Sequence, residues 1–232
     1  MTNDRFHRTR LLLGDTAHQK LRTSHIAVVG CGAVGSFAAE ALARIGVGHI
    51  TLIDPDTVER SNINRQLCAL ESTIDRSKVA VMADRIHDIC PDTHVFPMRL
   101  FVDAQTCPEA FADRPDFVID AMDSLTAKAD MLAWLYQNNI PMISAMGAAL
   151  KTDFQRIKIA PLGKTTTCPV ASRLRKLLRN KGIPLDIPCV YSDEVPSKTF
   201  EPNRQMGSLI TITGQFGLIL ADYAVHYLIP GN

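Results

Sequence analysis

Several protein classes are excluded by what this chain does not contain. Its six cysteines, at positions 31, 68, 90, 107, 168 and 189, include no C-x-x-C pair. A zinc ribbon needs that spacing, and a disulfide framework belongs to shorter secreted chains, so neither reading stands. Charge of one sign is not in excess: 25 Lys and Arg against 24 Asp and Glu leave a net charge of +1. Binding to nucleic acid would have to come from a local patch rather than a global field. The first 25 residues carry His and Arg throughout and no apolar segment, so no export signal is expected. Reduced thiols without such a signal lead us to expect the cytoplasm. The one long apolar stretch, 208–229, is interrupted by Gln215, Asp222 and His226, and is expected to be core rather than a membrane span.

What is present is ordinary globular composition, 46% hydrophobic and 21% charged, over 232 residues. That length permits one large α/β domain or one domain with an appendage. The chain is organised around residues 26–66. An apolar run at 26–29 leads into Gly30-Cys-Gly-Ala-Val-Gly35, and a helix-forming run follows at 36–44. Three glycines at this spacing let the backbone touch a phosphate, and the helix start offers free N–H groups and the positive end of its dipole. Gly30, Gly32, Ala33, Val34 and Gly35 are therefore candidate phosphate-cradle residues. Asp54 ends the next apolar run, 50–53, where a carboxylate would meet ribose hydroxyls. Glycines and Asp54 alone do not choose between NAD, FAD and ATP. A second carboxylate at Asp56, then Asn62, Arg65, Gln66 and Lys78, and a later Met122-Asp-Ser124, favour ATP. A triphosphate needs Arg and Lys against its oxygens as transfer proceeds, whereas a dinucleotide leaves that cationic pair without a task.

Taken in order, the chain alternates helix and strand. Helices are expected at 16–22, 77–90 and 126–137, and strands at 94–98, 116–120, 141–145 and 154–159. Val79, Met82, Ala83 and Ile86 recur at helical spacing, as do Leu132 and Leu135. Asp120 is expected to be structural. The pattern predicts an α/β, doubly wound, mostly parallel Rossmann-like sheet with the nucleotide at its first strand–helix turn. Three parts are expected: a nucleotide-binding core at 1–160, an insertion at 161–207 and a packing segment at 208–232. Within the second, residues 172–182 form a basic helix with Arg173, Arg175, Lys176, Arg179 and Lys181 and no acid. It is either a solvated amphipathic face or a contact for a phosphate backbone. Pro184, Pro188, Pro196 and Pro202 make 183–207 read as a mostly extended loop. Gly207 and Gly214 suggest a short strand and then a buried helix.

Five segments in this order resemble the adenylating enzymes related to ubiquitin-activating enzyme, the ThiF, MoeB and HesA family: Gly30 to Gly35, Leu52-Ile-Asp-Pro-Asp56, Ser61-Asn-Ile-Asn-Arg-Gln66, Ser77-Lys78 and Asp120-Ala-Met-Asp-Ser124. Ala33 stands where the family often has glycine. The resemblance implies ATP with magnesium held through Asp123, and a homodimer in which Arg8 reaches the partner's ATP. By its own sequence, Arg8 reads equally well as part of a frayed terminus. After residue 160, Lys164-Thr165, Cys168-Pro169, the basic helix, Val190-Tyr-Ser-Asp-Glu194 and Gly207-Ser208 resemble the tRNA threonylcarbamoyladenosine dehydratase branch. That branch adenylates the threonyl carboxylate of the modified base and closes a ring. It implies tRNA as partner, with Arg173, Arg175, Lys176 and Arg179 as nucleic-acid contacts. Such ring closure needs no thioester relay, so Cys168 and Cys189 are expected to be inert. Two alternatives use the same nucleotide fingerprint: activation of the C-terminal glycine of a ubiquitin-like sulfur-carrier protein, and an NAD-binding oxidoreductase.

Overall fold

The computed structural model describes residues 4–196 and 206–229. Two short helices, α1 (His7–Leu13) and α2 (Asp15–Thr23), lead into β1 (His25–Val29). Then come α3 (Gly35–Ile45), β2 (His49–Ile53), α4 (Lys78–Ile89), β3 (His94–Met98) and the single-turn α5 (Cys107–Ala110). They are followed by β4 (Phe117–Asp120), α6 (Leu125–Gln137), β5 (Met142–Ala145) and β6 (Ile157–Pro161). The chain closes with α7 (Pro169–Asn180), β7 (Pro188–Ser192) and α8 (Ile210–Leu228).

One seven-stranded sheet has the order β3-β2-β1-β4-β5-β7-β6. All neighbouring pairs are parallel except β6–β7. The central strands are apolar at nearly every position because helices cover both faces. Ile26 and Val28 pack with α3, α4 and α8 on one side, while Ala27 and Val29 pack with α6 and α7 on the other. The order reverses between β1 and β4. There the crossover helices diverge and leave a crevice at the carboxyl ends of the strands, where open α/β sheets bind ligands.

Two expectations are corrected. The segment 183–207 is not simply a loop, because β7 lies inside the sheet between β5 and β6, with Cys189–Ser192 buried. Pro188 opens that strand, a position where a missing N–H is tolerated. Residues 197–205, with Pro202, lie outside the described residues. The second correction concerns 206–209, which forms no strand, while α8 runs unbroken through Gly214. Helix α8 crosses α3 so closely that a Cβ on Gly217 would come within 2.3 Å of the Val34 carbonyl. The C-terminal segment thus buttresses the glycine turn from behind. No described helix is long and apolar enough to cross a membrane.

Candidate functional site: a nucleotide cradle

The glycine turn is built by close packing. Gly30 has φ +90°, a conformation that favours glycine, and a Cβ there would lie 2.7 Å from the Ala121 carbonyl. At Gly35 a Cβ would collide with the Gly30 carbonyl at 1.7 Å. No larger residue lets α3 start this near β1. The crest of the turn, Gly32, Ala33 and Val34, is half-buried, and the Ala33 and Val34 N–H groups have no partner among the described residues. A helix start with free donors is an anion site.

Asp54 is buried behind the crest. One carboxylate oxygen accepts the Cys31 N–H at 2.7 Å and the other accepts the Asp56 N–H at 2.9 Å. Burial raises its pKa, against the pull of Lys78 and of those two hydrogen bonds. Asp54 thus ties the turn after β2 to the turn after β1. From the first residue of α4, Lys78 donates to Asp56 Oδ2 at 2.8 Å. Burial alone would lower its pKa, but the Asp56 hydrogen bond and the charges of Asp54 and Asp56 raise it, so the ammonium stays protonated.

The other expected residues fall into two groups. Gln66 is buried, and its amide nitrogen would be 3.7 Å from a Cβ on Gly32, so it borders the crest. Asn62 is buried too and closes its own 3₁₀ turn by accepting the Glu59 N–H at 3.2 Å. Asp123 sits exposed in the loop after β4, with no polar partner among the described residues. The structure does not bring the remaining residues into the cradle. Arg65 is half-buried and donates to the Ser61 carbonyl at 2.9 Å and to Asn64 Oδ1 at 2.7 Å. Arg8 is exposed on α1 and makes no polar contact among the described residues.

Helix α7 lies against α6, with Leu174 and Leu178 buried and Arg173, Lys176 and Arg179 exposed. Arg175 differs from the other arginines. It is half-buried and donates to the Thr165 hydroxyl and, at 3.2 Å, to the Thr165 carbonyl. Its guanidinium holds the 162–165 turn rather than facing solvent. Cys189 is buried in β7 and its pKa is pushed up to about 12 by burial, while Cys168 is buried at the start of α7. A buried Cys189 thiol with so high a pKa is a poor nucleophile at neutral pH.

Sequence reasoning missed a second lysine. Lys128 on α6 is buried and donates to Asp120 Oδ2 at 2.6 Å. The signal was available, since Lys128 lies four and seven residues before the inward-facing Leu132 and Leu135, on the face of α6 that packs on the sheet.

These features define a class: a doubly wound α/β protein with an anion-binding turn and a cationic side chain poised beside it. The ThiF family model matches residues 6–231, and the chain belongs to the ThiF family. It is 44% identical over 82% of its length to a tRNA threonylcarbamoyladenosine dehydratase of Bacillus subtilis (strain 168), covering 75% of that protein. It is 35% identical to the Escherichia coli (strain K12) protein of the same name, over 95% of this chain and 92% of that one. The crystal structure of the E. coli dehydratase TcdA in complex with ATP superposes with a TM-score of 0.91 at 37% identity, covering 97% of this chain and 93% of that one.

Proposed function

We propose that this protein is an ATP-dependent dehydratase acting on N6-threonylcarbamoyladenosine in tRNA. The observation that carries the reading is the buried, protonated Lys78 held beside the glycine turn on a carboxylate that is itself open to water. The crystal structure of the similar E. coli enzyme in complex with ATP supports the same reading. A threonyl carboxylate oxygen bonds to the α-phosphorus of ATP as the bond to the pyrophosphate leaving group breaks. The neighbouring carbamoyl group then attacks the activated carbonyl, AMP leaves, and a ring closes with net loss of water. Neither step requires a protein nucleophile. Both require two anions to be aligned, their charge neutralised, and water excluded until closure.

In this reading the backbone of Gly30, Gly32, Ala33, Val34 and Gly35 cradles phosphate. Asp54 reaches the ribose, and Asn62 and Gln66 line the nucleotide. Lys78 exchanges Asp56 for a phosphate oxygen, and Arg65 turns in from Ser61 and Asn64. Asp123 suits magnesium: it is an exposed carboxylate with no polar partner among the described residues, and an ion held there would share the oxygens of ATP. Magnesium bound there would neutralise phosphate charge. Arg173, Lys176 and Arg179 face tRNA phosphates, with Arg175 supporting their helix. A homodimer, with Arg8 completing the partner's site, is consistent with the exposed Leu11 and Leu12 beside it on α1. We place the protein in the cytoplasm.

The test is ATP–pyrophosphate exchange with two acceptors. Exchange that requires tRNA bearing the modified base is expected. Exchange supported by a ubiquitin-like sulfur-carrier protein and not by tRNA would replace this reading with carrier activation.

A further inference from the structure

The far side of the glycine turn is closed by a buried network. Asp120 ends β4 and is registered with Val29 of β1 on one side and Ser144 of β5 on the other. It therefore stands at the point where the sheet order reverses. Lys128 reaches it from the start of α6. The ammonium donates to Asp120 Oδ2 at 2.6 Å, to the Ala145 carbonyl at 3.1 Å and to Ser144 Oγ at 3.4 Å. The Ser144 hydroxyl donates to the same Asp120 oxygen at 2.5 Å, and the other oxygen accepts the Met122 N–H at 3.2 Å. All three ammonium protons have acceptors, so the network is complete.

A buried ion pair contributes little net stability compared with apolar residues of the same volume. What this one supplies is geometry. The chain between its two charged members is residues 121–127: the 121–124 loop, which carries Asp123, and the first residues of α6. The Ala121 N–H donates to the Val29 carbonyl at 2.8 Å, and the Lys128 N–H donates to the Ser124 carbonyl at 2.8 Å. The Ala121 carbonyl is the group pressed against Gly30. The loop is thus pinned at both ends by one ion pair and held against the turn.

We propose that Lys128 is a positioning residue for adenylation, fixing the 121–124 loop, and Asp123 with it, against the glycine turn. This rests on the reading of Asp123 as a phosphate-side residue of an ATP site. The test is a double-mutant cycle read by ATP calorimetry and by turnover. Asp120→Asn with Lys128→Gln removes both charges and keeps hydrogen-bonding atoms. In the native background it should weaken ATP binding and slow turnover by about tenfold each, as a small misplacement does. In the Asp123→Ala background it should cost nothing further, because residues acting as one unit do not add. Ser144→Ala leaves the ion pair and should show the same pattern at about threefold, the worth of one hydrogen bond. It decides the matter if the charge variant does not fold. An Asp123→Ala protein with unchanged ATP binding and turnover would overturn the reading of Asp123, and the proposal with it. An impaired Asp123→Ala protein combined with unimpaired network variants, or with network losses that add in full, would overturn the role of Lys128 alone.

Discussion

Two lysine–aspartate pairs flank the glycine turn, and they differ in one respect that decides what each can do. Lys78–Asp56 closes at 2.8 Å and Lys128–Asp120 at 2.6 Å, both near the carboxyl ends of the strands. The Asp56 side chain is 62% exposed, whereas Asp120 is 0% and Lys128 2% exposed. In the first pair the lysine can leave its carboxylate for a phosphate oxygen, because Asp56 then turns to water. In the second, neither member can leave without stranding a buried charge. An open pair is suited to a ligand, and a closed pair to architecture. Helix α7 repeats the contrast among its arginines, with Arg173 and Arg179 exposed and Arg175 tied to Thr165.

The largest expected effect separates the pairs by stability. Lys128→Ala should lower the free energy of unfolding in urea by about 3–5 kcal/mol, because it leaves Asp120 buried and unpaired. Lys78→Ala should cost about 1 kcal/mol, since Asp56 is hydrated once released. Equal losses would break the comparison. The next effect separates them by chemistry. Lys78→Ala, Arg65→Ala and Asp123→Ala should each slow adenylation by about 10²-fold or more through lost charge stabilisation. Cys168→Ala and Cys189→Ala should leave turnover largely intact, and a folded but inactive cysteine variant would argue for a thioester step. The smallest effect sharpens the contrast within α7. Arg173→Glu with Lys176→Glu should weaken tRNA binding and flatten its dependence on salt, with ATP binding unchanged. Arg175→Ala should instead cost about 1 kcal/mol of stability, the worth of its hydrogen bonds to the 162–165 turn. Unchanged tRNA affinity in the first variant would make the basic face merely solvated.

Much of the nucleotide half was legible because local rules govern it. The third strand, His94–Met98, has the limits expected of it. The glycine turn follows from spacing, and the structural role expected of Asp120 is visible in its burial and bonding. The C-terminal half was less legible. Prolines flanking 189–192 signal a loop, yet a strand buried on both sides tolerates Pro188 at its first position. Gly214 suggested a helix start and proved to lie inside α8.

The sequence by itself determined the alternation of strands and helices, the phosphate-binding turn and the set of charged residues around it. Those depend on residues close together in the chain, where periodicity and glycine chemistry act directly. Only the tertiary structure decided which lysine is open and which is closed, that Arg175 is an anchor, and that β7 enters the sheet beside β5. Lysine and aspartate are the same letters in both pairs. What distinguishes them is access to water, which is set by how α6, β4 and β5 pack together, and no local pattern encodes that.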